Sequence, residues 1–128
     1  MLRLLKSKFS LPFLVALGLA CCVPACGPKA KPVDASKPLQ QSFQTAEAPV
    51  QQAITSATTS LKAGNYAEAT RALAPLAAKP DLTAEQRQAM GTALRQVNQA
   101  IATDPKLNTK EMYEMRRKLF QAGFGNSN

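Results

Sequence analysis

Three short stretches mark helix starts along the second half of this 128-residue chain: Asn65 with Glu68, Thr83 with Gln86, and Asn108 with Glu111. In each, a side-chain oxygen is placed to accept a backbone N–H of a first helical turn, and a Glu or Gln three residues on can return the bond. Each box leads into an apolar face at helical spacing: Leu73, Leu76 and Ala77; then Met90, Leu94, Val97 and Ile101; then Met112, Met115 and Leu119. A chain that repeats this local chemistry three times is expected to be all-α.

Upstream, Leu39, Phe43, Ala46, Val50, Ile54, Ala57 and Leu61 recur at steps of three and four, one face of a helix. Pro49 falls inside that stripe, where it either kinks one long helix or opens a second one. Gly64 is a natural stop, because glycine takes the left-handed conformation without a side-chain clash. Further breaks fall at Lys79-Pro80-Asp81, Asp104-Pro105 and Gly123. Short connections favour antiparallel neighbours, so the expectation is a small antiparallel array of about four helices over residues 38–124. Pro75 should bend or shorten the helix that contains it. The tail GNSN at 125–128 is expected to be disordered.

Residues 1–20, MLRLLKSKFSLPFLVALGLA, have a basic start, a short apolar run and small residues, the order of an export signal. The run is well short of the roughly 20 residues that span a bilayer. All three cysteines follow directly, in CCVPAC at 21–26. With no His anywhere, they cannot complete a metal site of about four suitable ligands. From Gly27 to Lys37 the chain reads GPKAKPVDASK, a polar, Pro-containing stretch expected to be an extended linker.

Gly18-Leu19-Ala20-Cys21 resembles the lipobox of bacterial lipoproteins, with Ala20 as the small residue before the cysteine and Gly18 where an aliphatic residue is usual. The resemblance implies that Cys21 receives lipid and becomes the mature N-terminus, making 21–37 an attachment point and tether. Val23-Pro24-Ala25-Cys26 and Leu19-Ala20-Cys21-Cys22 are alternative registers, with Cys26 and Cys22 as the acylated residue. The absence of Asp after any of these cysteines implies outer-membrane placement facing the periplasm in a Gram-negative host. Plain cleavage after Ala20 or Ala25 would instead give a secreted protein.

Residues 61–69, LKAGNYAEA, with Leu73 beyond, look like the turn of a tetratricopeptide repeat, in which Gly-x-Tyr-x-Glu-Ala joins two helices. Gly64, Tyr66, Glu68 and Ala69 match in order; Ser56, Ala57 and Ser60 depart from the pattern upstream. The resemblance covers about one repeat of ~34 residues. It implies a TPR-like hairpin that binds another protein, with Tyr66 as a contact residue.

Chemistry is sparse elsewhere. Several of the carboxylates sit at caps or helix starts, where the helix dipole or a backbone N–H accounts for them. No enzyme activity, cofactor or small-molecule substrate is expected. The net charge of +8 includes Arg3, Lys6 and Lys8 of the signal, leaving a mildly basic remainder. Its one local concentration is Lys110, Arg116, Arg117 and Lys118, interleaved with Tyr113 and Phe120. Such a cluster can meet an acidic partner or anionic lipid. Cations near a helix C-terminus are also stabilised by the dipole, by roughly 0.3–1 kcal/mol each. Export argues against a nucleic-acid partner. The sequence thus points to a membrane-anchored envelope lipoprotein with a helical adaptor or assembly module whose partner is another envelope protein. The alternative is a structural lipoprotein touching anionic lipid or polymer through its basic face.

Overall fold

Pro49 opens a helix. The apolar stripe that begins at Leu39 is divided between α1 (Ser36–Ser42) and α2 (Ala48–Lys62), and Pro49 sits in the first turn of α2, where no intrahelical N–H is needed. The computed structural model describes residues 31–125. The export signal, Cys21, Cys22, Cys26, the start of the linker and the last three residues lie outside them. Beyond α2 come α3 (Tyr66–Ala77), α4 (Ala84–Thr103), a single 3-10 turn (Pro105–Leu107) and α5 (Lys110–Phe124). The fold is all-α, with five helices where about four were expected and no strand among the described residues.

The helix ends show which local signals operate. Gly64 has φ +76, and it closes α2 with two backbone bonds: its own N–H to the Leu61 carbonyl and that of Asn65 to Ser60. This pair satisfies carbonyls the helix end would leave unpaired. Thr83 forms the complete reciprocal box with Gln86. The other two boxes are corrected. Asn65 stands at the cap of α3 but makes no side-chain capping bond. α5 is capped by Thr109, whose hydroxyl accepts the Met112 N–H, so the start lies one residue beyond Asn108.

Gly123 is likewise not a stop. α5 runs through it to Phe124, and the reason is packing: a Cβ on Gly123 would lie 3.0 Å from the Gly91 Cα of α4. The two glycines let the helix backbones cross closely. Pro75 lies inside α3, which continues only two residues further to Ala77, so the helix ends close to the donor the proline lacks.

The expected apolar faces meet in one core. Leu39, Leu73, Val97, Met90, Met112 and Leu119 are fully buried, each contributing on the order of 1.5–3 kcal/mol. Thr70 is buried among them; its hydroxyl contacts the carbonyls of Tyr66 and Ala67 in its own helix, with the sulfurs of Met112 and Met115 3.7 and 3.5 Å away. The helices close a circuit: α1 packs on α2, α2 on α3, α3 on α5, α5 on α4, and α4 on α1. Consecutive α3 and α4 touch far less. The pairs α2–α3 and α4–α5 are compatible with TPR-like hairpins, and residues 35–122 supply the whole core cluster.

Residues 31–35, read from the sequence as part of an extended linker, lie along α4. Gln99 accepts the Val33 N–H at 2.9 Å and donates to the Lys31 carbonyl at 3.3 Å, while Gln96 accepts the Ala35 N–H at 2.8 Å. Ala35 and Ser36 are buried. The polypeptide therefore enters the bundle as a strap held by its backbone.

Candidate functional site

The strap builds one wall of a groove of about 580 Å³. Val33 comes from the strap, Gly64 and Tyr66 from the α2–α3 turn, Gln99 from α4, and Asp104 and Leu107 from the connection beyond it. Tyr66 reaches this position because the Gly64 turn reverses the chain and starts α3 at Tyr66 itself. It is half-buried, packing its ring on the core while remaining part of the groove wall. A ring with one apolar body and one wet hydroxyl is suited to this boundary.

Its companions in the motif have structural tasks. Ala69 is fully buried, so α3 needs a small residue there. Glu68 pairs with Arg71, and the same guanidinium reaches Glu111 of α5 at 2.7 Å. These carboxylates, Glu111 first, hold the Arg71 pKa above its ordinary value. All three side chains are more than half exposed, so solvent keeps this clasp between α3 and α5 to a small energetic effect.

The groove can accept and donate hydrogen bonds through Tyr66, the Gln96 amide nitrogen and Asp104, with Val33, Ala100 and Leu107 as apolar surface. That combination fits a peptide segment, whose backbone offers both donors and acceptors. Gln96 and Gln99 were not singled out by the sequence. Their spacing of three places them on one helix face, but only the docked strap reveals what they hold.

The basic residues do not gather into one patch, nor do they adjoin Tyr66 in its groove. Arg116 and Arg117 line a smaller concavity of about 220 Å³ with Tyr113, Phe120, Leu94 and Asn98. Lys118 lies in another hollow, with Arg71 and Pro75. Lys110 is the first residue of α5, and no basic residue occupies the last turn of that helix. The dipole therefore does not account for the cluster. Arg117 pairs with Glu114 at 2.7 Å, and Arg116 donates to the Asn108 side chain at 3.2 Å. The Arg116 Nε is buried without a partner among the described residues.

Among the described residues no group of three or more His, Cys, Asp or Glu could hold a metal ion, and no helix is long and apolar enough to cross a membrane. No family model matches the chain, and neither a curated protein nor a solved structure matches it. The described residues form a small all-α bundle of two hairpins, α2–α3 and α4–α5, with α1 packed against both.

Proposed function

We propose that this chain is a lipid-anchored envelope protein whose helical domain is an interaction module, acting as an adaptor or assembly factor for another envelope protein. Cys21 carries the anchor, with Cys26 and Cys22 as the alternative positions. The observation that carries the reading is the Tyr66 groove, which combines a half-buried aromatic, a carboxylate and side-chain amides beside a backbone-held strap. The same strap supports the tethered arrangement, because it ends the linker at a defined place on α4 instead of at a frayed terminus.

A photo-crosslinking side chain installed at Tyr66 or Thr103 in the living envelope tests the groove. A single defined protein adduct, absent when the probe is at exposed Glu85 on the far turn of α4, is the expected result. Equal, diffuse labelling from all three positions would count against an adaptor. Mass spectrometry of the mature N-terminus tests the anchor separately: an acylated cysteine is expected, and a free, unmodified one removes the lipoprotein reading.

A further inference from the structure

Among the described residues three large aromatic side chains are more than half exposed, Tyr113 at 57%, Phe120 at 54% and Phe124 at 51%, and all belong to α5. With Arg117 they recur at steps of four, three and four, one stripe along the outer side of the helix. Phe120 and Phe124 stack with ring centroids 5.4 Å apart. Phe124 also lies over Gly91, whose added Cβ would be 3.1 Å from its ring. The stripe is thus braced from behind by α4 and presents its rings outward.

Cations flank it. Arg116 and Arg117 share the concavity with Tyr113 and Phe120, and Lys110 stands one turn before Tyr113. Glu114, the acid beside the stripe, is already engaged by Arg117. No acid lies within ion-pair distance of Lys110 or Arg116 among the described residues. Aromatic rings beside arginine and lysine match the boundary between headgroups and acyl chains: the rings enter the apolar edge while the cations meet anionic headgroups.

We infer that the outer side of α5, Tyr113, Phe120 and Phe124 with Lys110, Arg116 and Arg117, docks on an anionic lipid bilayer surface. This sharpens the basic-face alternative, because the exposed aromatics join it and Lys118, in a separate hollow, leaves it. On α4 the residues beside this face, Leu94 and Asn98, point roughly 150° away from Gln96, Gln99 and Thr103, at 3.6 residues per turn. Docking therefore turns the Tyr66 groove away from the bilayer and toward a partner. The inference rests on the anchored reading only for proximity. The ten Cα-to-Cα steps from Cys21 to Lys31 reach roughly 33–36 Å when extended, which keeps the domain close to the membrane that holds the anchor.

The test uses the chain from residue 21 onward with Cys21, Cys22 and Cys26 replaced by serine, so that no lipid anchor contributes. The natural sequence has no Trp, so Phe120→Trp supplies a unique fluorophore. Phosphatidylcholine vesicles containing phosphatidylglycerol should shift its emission to the blue, and brominated acyl chains should quench it. Pure phosphatidylcholine should do so far less, and added salt should reverse the effect. Tyr66→Trp, in the groove, should show no quenching. In co-sedimentation, Arg116→Gln with Arg117→Gln should lower binding at least tenfold, whereas Lys118→Gln should leave it unchanged. Circular dichroism verifies that each variant is folded.

Absence of binding to phosphatidylglycerol vesicles overturns the inference, as does quenching at Tyr66→Trp equal to that at Phe120→Trp. Self-association through the stripe in lipid-free solution, abolished by Phe120→Ser, would assign the face to a second copy and also overturn it. Capture of an acidic protein by the stripe in place of vesicles has the same force. Because the anchor is absent throughout, none of these outcomes bears on whether Cys21 is acylated.

Discussion

Gln99 holds Val33 by its backbone across 66 positions of sequence, accepting its N–H at 2.9 Å. The same amide donates to the Lys31 carbonyl two residues earlier, so one side chain reads the strap as a neighbouring strand would. The strap wall of the Tyr66 groove depends on this bond and on that between Gln96 and Ala35.

Replacing Gln99 with Ala should therefore release the strap first. A net hydrogen bond contributes about 1 kcal/mol, so Gln99→Ala, which removes two, should lower stability by roughly 1–2 kcal/mol. Amide exchange at Val33 should accelerate while the core amides of α2 keep their protection. Unchanged exchange at Val33 would show that the strap is held by something other than Gln99.

The glycine crossing predicts an asymmetry between two similar substitutions. A methyl group on Gly123 meets the α4 backbone, at 3.0 Å from Gly91 Cα and 3.1 Å from its N, whereas one on Gly91 meets the ring of Phe124. Rings can move and backbones cannot do so cheaply, so Gly123→Ala should destabilise by roughly 1–3 kcal/mol in chemical denaturation. Gly91→Ala should be close to neutral, since the helix-propensity gain of about 1 kcal/mol offsets the displaced ring. Adding Phe124→Ala should relieve Gly91→Ala but not Gly123→Ala. Equal losses for the two alanine variants would refute the asymmetry.

The two threonine-and-asparagine caps should also separate. Thr83 accepts the Gln86 N–H, and Asn65 makes no capping bond. Urea midpoints should show Thr83→Ala losing about 1 kcal/mol, with Asn65→Ala losing no more than a few tenths on the scale of a surface change. A comparable loss at Asn65 would contradict the structure of the α3 start.

Acid stability follows from two carboxylates. The Asp34 carboxyl is held below its ordinary pKa of 3.8, chiefly by the Ser36 backbone N–H, and Glu85 below 4.5, chiefly by its own backbone N–H and then by the Thr83 hydroxyl. Lowered folded-state values mean that the unfolded chain binds more protons, so stability rises with pH through this range. The contribution is full above the unfolded values and disappears as pH falls through the folded ones. Asp34→Asn should flatten the pH dependence of the unfolding midpoint in this acid window and leave its slope near neutrality unchanged. A steeper acid slope in that variant would reverse the sign.

The helices were legible in the sequence because their signals are local. The Leu39 to Leu61 stripe, the Thr83 box, the Gly64 stop and the apolar faces ending in Leu119 each need only one or two turns of chain to act. Even the local misreadings are small: Thr109 displaces Asn108 at a cap, Asn65 makes no capping bond, and α5 runs through Gly123, while Pro49 takes the second of its two expected roles by opening α2. Tyr66 was also legible, since the motif that contains it is a turn. The helix wheel sets Lys118 about 100° from Arg117, but only packing places Lys118 beside Arg71 and Pro75 and Arg117 beside Tyr113 and Phe120.

By itself, then, the sequence determined that residues from about Leu39 onward form short amphipathic helices, where most begin and end, and which side chains are driven from water. Tertiary structure alone decided that α3 lies against α5 and not α4, that Gln96 and Gln99 clamp the strap, that Gly91 and Gly123 meet, and that three aromatics of α5 remain outside. The physical reason is range. Capping and periodicity are settled within a few residues, whereas partner choice depends on how all the buried faces close together around one core, and no residue carries that information alone.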